Sequence, residues 1–171
     1  LKGDENCLSA FVHQNIQNDV QQASIHYITT NNGFTLADLV SYDDKHNEAN
    51  GEDNRDGTDY NNSWNCGAEG TTRKRKVLAL RRRQMYNAMV FLIFQQGTPR
   101  IYSGDEFCNS QQGNNNAYCQ DNEVFWLNWR DLKKNQKHFL FVKGLLELRA
   151  AHPILHPEKP FRQMDYLSCG F

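Results

Sequence analysis

Short apolar segments alternate with longer periodic ones along the chain, and two long polar stretches follow the apolar segments. Residues 24–30 (SIHYITT) and 99–103 (PRIYS) predict strands. Residues 73–96 carry a broad apolar stripe at helical spacing, which Gly97 and Pro99 end. Weaker helical periodicity covers residues 2–22, and a third helix is predicted over residues 135–151 before Pro153.

The order strand, helix, strand predicts that the two strands are parallel. Two long loops then leave the same carboxyl edge of the sheet, where α/β folds place their sites. The first loop is residues 31–72 and the second loop is residues 104–134. A loop of about 40 residues without periodicity is rare in a compact domain unless it is functional or disordered. We therefore expect both loops to be functional.

Two parallel strands and three helices are too few to shield a sheet, because parallel sheets need both faces covered and more strands in the plane. The fold class that we predict is α/β, in the form of a partial fold completed by upstream sequence or by partner chains. If the chain is isolated, its exposed strand edges and its apolar central helix predict a homo-oligomer.

The charge balance excludes a general affinity for polyanions. Charged residues make up 23% of the chain and the formal net charge is −1, so no global field favours nucleic acid or an anionic membrane. The longest apolar run, residues 88–94, is too short to span a bilayer, and no charged leader precedes an apolar segment. We expect a soluble, cytoplasmic protein with no membrane partner.

The five cysteines are odd in number and form no C-x-x-C pair, which disfavours a zinc ribbon and a closed disulfide framework. Reduced thiols are expected. We also expect no bound metal. The segment from Glu52 to Gly57 imitates the first half of a calcium loop, but Ser63 stands where the loop needs a bidentate carboxylate. His46 has no second histidine at metal spacing.

Seven cations lie within eleven residues at the start of the central helix, which raises the question of nucleic-acid binding. Eight acidic residues between Asp38 and Asp59 oppose them. The acidic part of the first loop is therefore expected to pair with the basic helix start, and nucleic acid is not expected as a partner.

The two loops combine amides, carboxylates and aromatic rings at high density. This mixture suits a sugar, because aromatic faces stack on pyranose rings while amides and carboxylates bond the hydroxyls. The same mixture equally suits loops whose polar groups only form hydrogen bonds with one another. The aromatic residues concerned are Phe34, Tyr42, Tyr60, Trp64, Tyr118, Phe125, Trp126 and Trp129.

The loops contain two long motifs, VSYDDKHNEANGEDNRDGTDYNNSWNCG and QQGNNNAYCQDNEVFWLNW. Both resemble bacterial glycogen debranching enzymes of the isoamylase type, within the α-amylase clan of glycoside hydrolases, and the resemblance covers essentially the whole chain. It implies the last part of a (β/α)₈ barrel over residues 1–157, and a linker or the start of a C-terminal β-sandwich over residues 158–171. It also implies hydrolysis of α-1,6 linkages in glycogen or related α-glucans, without a cofactor.

Retaining glycosidases use two carboxylates, a nucleophile and a proton donor. In the resembled family both precede the part that this chain matches. A third carboxylate, preceded by histidine, ends the seventh strand in a pattern similar to TNHDGFTL. Here residues 29–36 read TTNNGFTL, so Asn31 stands at the histidine position and Asn32 at the position of the aspartate that stabilises the transition state. We therefore expect the chain to be inactive alone.

Five further residues are candidates for binding substrate. Asp105 and Glu106 follow the eighth strand, where barrel carboxylates often enter the active site. The competing interpretation is that they cap the loop through backbone amides. The second motif adds Asn115, Asn116 and Tyr118.

Two functions remain open at this stage. One is a fragment of a debranching glycoside hydrolase that supplies substrate-facing loops. The other is a noncatalytic α-glucan-binding or interaction module.

Overall fold

A computed structural model describes residues 5–16 and 24–157. The described elements are two strands and five α-helices, joined by four short 3₁₀ turns. In chain order they are α1 (Leu8–Ile16), β1 (Ile25–His26), α2 (Leu36–Leu39), α3 (Arg75–Phe94), β2 (Thr98–Pro99), α4 (Trp129–Lys134) and α5 (Gln136–Ala151). The predicted boundary at residues 158–171 lies outside the described residues.

The two strands form a parallel pair, as predicted. Ile25 aligns with Thr98, and His26 aligns with Pro99. The amide of Thr98 donates to the carbonyl of Ser24 at 2.8 Å, and the amide of Arg100 donates to the carbonyl of His26 at 2.7 Å. Both strands are shorter than predicted, because beyond this ladder the two chain segments are joined by side-chain contacts of Thr29 and Asp105 instead. Helix α3 is the crossover between the strands.

The helix predictions hold for the two long helices. α3 and α5 lie within one or two residues of the predicted ranges 73–96 and 135–151. α1 occupies the middle of the predicted range 2–22, whose two ends lie outside the described residues. The loops were predicted without regular structure, but α2 forms in the first loop and α4 in the second. Thr35 caps α2 by accepting a hydrogen bond from the Asp38 amide at 3.2 Å.

The hydrophobic core lies between α3, α5 and the first part of the first loop. Its buried members are Phe34, Leu36, Leu39, Tyr42, Ala88, Met89, Leu92, Ile93, Val142 and Leu145. Because four of these residues come from the first loop, the loop is anchored by apolar packing on α3 and is not only a surface feature.

The second half of α3 is apolar on all sides in the sequence, which predicts burial on more than one side, and this holds only in part. Ala88, Met89 and Leu92 are buried, but Phe91 is half exposed. Its ring packs edge-to-face on Phe11 of α1, with 4.9 Å between the ring centroids. In the second half of α3, the described residues therefore bury one face and cover the opposite face only in part.

A buried arginine fixes the turn that leads from α3 into β2. The Arg149 guanidinium on α5 donates to the carbonyls of Ile93 at 2.6 Å, Gln95 at 2.8 Å and Gly97 at 2.6 Å. The Ile93 carbonyl lies in the last turn of α3 and the other two follow it, so none of the three has an intrahelical partner. Arg149 therefore sets where β2 begins relative to α5.

A second buried arginine holds the end of the first loop. Arg81 on α3 donates to the carbonyls of Gly70 at 2.7 Å, Asn65 at 3.0 Å, Ser41 at 3.3 Å, and also Ala68. The expected pairing of the acidic loop with the basic helix start was wrong in this respect, because the buried cation bonds backbone carbonyls rather than carboxylates. The other six cations of the cluster are exposed.

Arg81→Ala is expected to lower the free energy of unfolding by about 3 kcal/mol, because several carbonyls around a buried charged donor lose their partner at once. Arg82→Ala is the matched control, since Arg82 is the exposed neighbour on the same helix, and we expect it to change stability by at most about 0.5 kcal/mol. Urea unfolding measures both. Equal effects of the two substitutions would contradict this role of Arg81.

Two further findings concern the described residues alone. None of their helices has both the length and the apolar character needed to cross a membrane. Cys7, Cys66, Cys108 and Cys119 are free thiols, as expected, and Cys169 lies outside the described residues. Burial raises the pKa of the Cys108 thiol to about 12, so this thiol is not a nucleophile at neutral pH.

Candidate functional site

The segment that carries Asn31 and Asn32 is fixed at both ends by one buried carboxylate. Asp105, at the start of the second loop, is 2% exposed. The Thr29 hydroxyl donates to one of its oxygens, and the Leu36 amide donates to the other at 2.8 Å. Burial raises the pKa of this carboxyl to about 7. Asp105 therefore joins the second loop to both sides of the Asn31–Asn32 turn.

A second buried carboxylate makes the reciprocal connection. Asp38, in α2 of the first loop, accepts hydrogen bonds from the Ser110 hydroxyl at 2.5 Å and the Gln111 amide at 2.7 Å. Burial raises the pKa of Asp38 as well. Each loop therefore contributes one carboxylate that caps the backbone of the other loop.

Further out, the loops are joined by asparagine side chains. The side-chain amide of Asn47 donates to Asn115 Oδ1 at 2.9 Å, and Asn47 Oδ1 accepts from the Asn115 backbone amide at 3.0 Å. Asn115 Nδ2 donates to the Thr58 carbonyl at 2.7 Å and to Asn61 Oδ1 at 2.6 Å. All of the Asn115 side-chain polar atoms are thus bonded within the protein.

Asn50 and Asp56 extend this network from the first loop. Asn50 Nδ2 donates to Asp56 Oδ2 at 2.6 Å. This hydrogen bond is the main reason that the pKa of Asp56 is lowered. The same carboxylate oxygen accepts from Asn116 Nδ2 at 2.9 Å. Asn50 Oδ1 accepts from Asn114 and from Gln120, each at 2.8 Å. The segment considered for calcium is therefore occupied by contacts between the two loops.

Asn31 and Asn32 lie on the surface beside this network. Both are exposed, and the structure shows no hydrogen bond from their side chains to the described residues. The backbone of Asn32 is nevertheless fixed, since its amide donates to Thr30 Oγ1 at 3.1 Å and its carbonyl accepts from the Thr30 hydroxyl at 2.9 Å. The Gly33 amide donates to the carbonyl of Asn115 at 2.9 Å. Two amide side chains thus project from an ordered turn.

Of the other predicted site residues, the structure joins Asp105 and Asn115 to the segment that carries this turn, and it buries both. Asp105 and Asn115 are each 2% exposed and bonded to protein partners. Glu106 is half-buried and accepts from the Gly104 amide at 2.9 Å, which matches the capping interpretation. Asn116 is partly exposed, and Tyr118 is 73% exposed. Asn116 and Tyr118 remain accessible to a ligand, together with Asn31 and Asn32.

The aromatic residues of the loops fall into two groups. Phe34 and Tyr42 are buried in the core, so their inclusion among candidate sugar-stacking rings was wrong. Trp64 has intermediate exposure. The exposed rings are Tyr60, Tyr118, Phe125, Trp126 and Trp129. The indole nitrogen of Trp126 donates to Asp121 at 3.0 Å, which fixes one of these rings at the surface.

Two residues that organise the site were not singled out from the sequence. Composition marks Asp38 only as one of eight acidic residues, and no sequence pattern assigns a role to Asn47. A signal for Asp38 was available, because an acidic residue three positions after Thr35 at a helix start indicates a capped turn. No local pattern marks Asn47, because its partner Asn115 is 68 residues away.

The chain is similar to curated bacterial proteins of glycogen metabolism, although no protein-family profile matches it. Over 139 residues it is 52% identical to the glycogen operon protein GlgX homolog of Mycobacterium tuberculosis (strain ATCC 25618 / H37Rv). That match covers 81% of this chain and 19% of the relative. It is 46% identical over 149 residues to the glycogen debranching enzyme of Erwinia tasmaniensis, covering 87% of this chain and 22% of that enzyme.

Solved structures show a related fold. The pullulanase from Bacillus acidopullulyticus aligns with a TM-score of 0.63 at 20% identity, over 90% of this chain and 16% of the pullulanase. A pullulanase from Paenibacillus barengoltzii aligns with a TM-score of 0.61 at 18% identity, over 90% of this chain and 21% of that protein. The likeness supports the predicted α/β class.

The chain spans about a fifth of the length of the curated relatives that it matches. The identity to them extends over more than four fifths of its own residues and includes both loops. Over most of its own length, the chain is therefore similar to one part of the bacterial glycogen debranching enzymes.

Proposed function

We propose that the chain is part of a debranching glycoside hydrolase that cleaves α-1,6 linkages in glycogen or related α-glucans in the cytoplasm. Its role is to supply the substrate-facing loops of the last two βα units of a (β/α)₈ barrel. The observation that carries this proposal is the 46% to 52% identity to the debranching relatives, in a chain whose two loops meet after adjacent parallel strands. Sites of (β/α)₈ barrels lie at the carboxyl ends of the strands.

Exposed apolar residues support a larger fold. Ile25 is 59% exposed in β1 and Tyr27 follows it at the surface, although parallel strands are normally covered on both faces. On α5, Leu140 and Leu146 are also exposed. In the proposed barrel, further strands and helices cover these residues. In an isolated chain, a second copy of the chain is the expected cover.

The chemistry assigned to the chain is binding rather than bond cleavage. A retaining glycosidase needs a nucleophilic carboxylate and an acid about 5 to 5.5 Å apart. The exposed pair at the predicted catalytic position consists of the amides of Asn31 and Asn32, which carry no charge to complement an oxocarbenium-like transition state. We therefore propose that the chain is inactive alone and that it holds sugar hydroxyls through Asn31, Asn32 and Asn116, with Tyr118 as a stacking ring.

The alternative, a noncatalytic α-glucan-binding module, is favoured by the same uncharged pair. Tryptophan fluorescence separates the two functions, because Trp64, Trp126 and Trp129 all lie in the loops. A saturable response of the isolated chain to branched maltooligosaccharides supports the module. The second protein to test is a graft, a full-length relative that carries residues 24–157 of this chain in place of its matching segment. If the isolated chain gives no response but the graft binds the sugar, the incomplete barrel is supported.

In that graft, Tyr118→Ala is expected to weaken binding of a branched maltooligosaccharide by about 5- to 10-fold, because an aromatic stacking contact contributes about 1 kcal/mol beyond its buried area. Tyr118→Phe is the matched control, since it keeps the stacking ring, and it is expected to change the affinity by at most about 2-fold. Isothermal titration calorimetry measures both. Equal losses for the two variants would contradict stacking on the Tyr118 ring.

A further inference from the structure

We propose that Asn47 and Asn115 form an amide clamp that positions the Asn31–Asn32 turn. In this arrangement Asn47 is a positioning residue that acts through Asn115 and Gly33, without contacting a ligand itself. The importance of the turn for sugar binding rests on the proposed function, whereas the clamp itself rests only on the contacts between the loops.

Asn47 is the inner half of the clamp. It is fully buried, at 0% exposure. Its Oδ1 accepts from the Asn115 amide, while its Nδ2 donates both to Asn115 Oδ1 and to the carbonyl of Asp56 at 3.0 Å. The backbone amide of Asn47 donates to Asn54 Oδ1 at 2.8 Å. Each polar atom of the side chain therefore has a partner, and two of the three contacts are to one residue of the other loop.

Asn115 is the outer half and makes the connection to the turn. Its carbonyl accepts from the amide of Gly33, the residue that directly follows Asn32. Gly33 has φ +130°, a conformation that favours glycine, so the direction of this amide is set by the local backbone. The Asn115 amide held by Asn47 and the carbonyl that holds Gly33 belong to the same residue. A shift of Asn115 away from Asn47 therefore moves the acceptor of Gly33.

Gly57 allows the two asparagines to approach. A Cβ at Gly57 would lie 2.2 Å from Asn115 Oδ1 and 2.7 Å from Asn47 Nδ2, and Gly57 has φ +71°. No larger side chain fits there without displacing the clamp. The two asparagines and Gly57 thus form one tightly packed unit, in contrast to the exposed Asn31 and Asn32 that it positions.

The test is amide hydrogen exchange of the full chain, followed by NMR. Asn47→Asp keeps an acceptor for the Asn115 amide but replaces the donor facing Asn115 Oδ1 with a second acceptor. We expect the Gly33 amide to exchange at least 10-fold faster in this variant, while the Met89 amide in the core of α3 is unchanged. This combination separates a displaced turn from a general loss of stability.

Asn54→Asp is the matched control. It removes the donor from Asn54 Nδ2 to the Lys45 carbonyl and keeps the acceptor for the Asn47 amide, without touching Asn115. Gly33 exchange is expected to stay within 2-fold of the wild type. If Asn47→Asp does not fold, Asn61→Ala takes its place, since it removes one partner of Asn115 Nδ2 and is expected to accelerate Gly33 exchange by 2- to 5-fold.

Unchanged Gly33 exchange in Asn47→Asp, or equal acceleration in Asn54→Asp, would overturn the clamp. The sugar-binding role of the turn is measured separately, by titrating the graft and its Asn47→Asp variant with a branched maltooligosaccharide. Faster Gly33 exchange with at least 5-fold weaker binding supports the whole inference. If the graft without the Asn47 substitution does not bind the sugar, the proposed function fails, while the exchange result still decides the clamp.

Discussion

A full-length relative that carries residues 24–157 of this chain is expected to hydrolyse branched glucans about 10²- to 10³-fold faster after Asn31→His and Asn32→Asp, because one preorganised charge contact in an active site typically has this effect. The restored carboxylate supplies negative charge opposite an oxocarbenium-like transition state. Both positions are exposed, and their side chains have no partner among the described residues, so the new side chains displace no contact. Release of reducing ends from glycogen measures the rate.

The control for this restoration is Asn87→Asp, which adds the same carboxylate at an exposed asparagine of α3, outside both loops. It is expected to leave the rate unchanged, because a charge outside the loops does not complement the transition state. Asn32→Asp alone is expected to account for most of the gain. If the double substitution gives no gain over the Asn31/Asn32 form, the degenerate catalytic position is not the cause of inactivity.

The order and direction of the main elements could be predicted from the sequence. The apolar stripe of α3 gave its two ends within two residues, because a helix of 20 residues repeats its pattern five times. The parallel pairing of β1 and β2 followed from the intervening helix. Strand length could not be predicted, since beyond the backbone hydrogen bond from Arg100 to His26 the two segments are joined by the side chains of Thr29 and Asp105.

The contribution of the first loop to the core was missed for a related reason. Phe34, Leu36, Leu39 and Tyr42 are separated by polar residues, and α2 is only four residues long, so no helical period develops. The composition of the loops predicts Phe34 and Tyr42 as sugar-stacking rings, because composition does not distinguish a buried ring from an exposed one. The contacts with α3 that bury them are long-range and are visible only in the fold.

The asparagines show how much of the function can be predicted from the composition of the loops. Their density in both loops suggested either sugar binding or mutual satisfaction of polar groups, and the structure distributes them between these roles. The side chains of Asn47 and Asn115 form hydrogen bonds between the two loops, whereas the side chains of Asn31 and Asn32 have no partner among the described residues. An amide side chain donates and accepts equally well in either role, so the sequence could not separate them.

Above pH 8, Asp105→Asn is expected to be more stable than the wild type, by at most about 4 kcal/mol. Burial raises the pKa of Asp105 from 3.8 to about 7, outweighing the hydrogen bonds from Thr29 and Leu36 that lower it. The folded protein therefore holds this proton more tightly than the unfolded chain. The stabilisation that comes from this tighter proton binding is fully present below about pH 4, and it is lost as the pH rises through 7.

The amide in Asp105→Asn can accept from the Leu36 amide and donate to the Thr29 hydroxyl, so the substitution removes the charge and keeps both contacts. Urea unfolding between pH 4 and pH 8.5 measures the difference between the two proteins. The buried His138, whose ring contacts the Asp105 carbonyl at 3.2 Å, titrates in both proteins and cancels in this comparison. Thr29→Val removes a donor that stabilises the carboxylate, and should move the loss of stability to higher pH. Parallel stability curves for the wild type and Asp105→Asn would show that the buried carboxyl does not control the pH dependence of the connection between the loops.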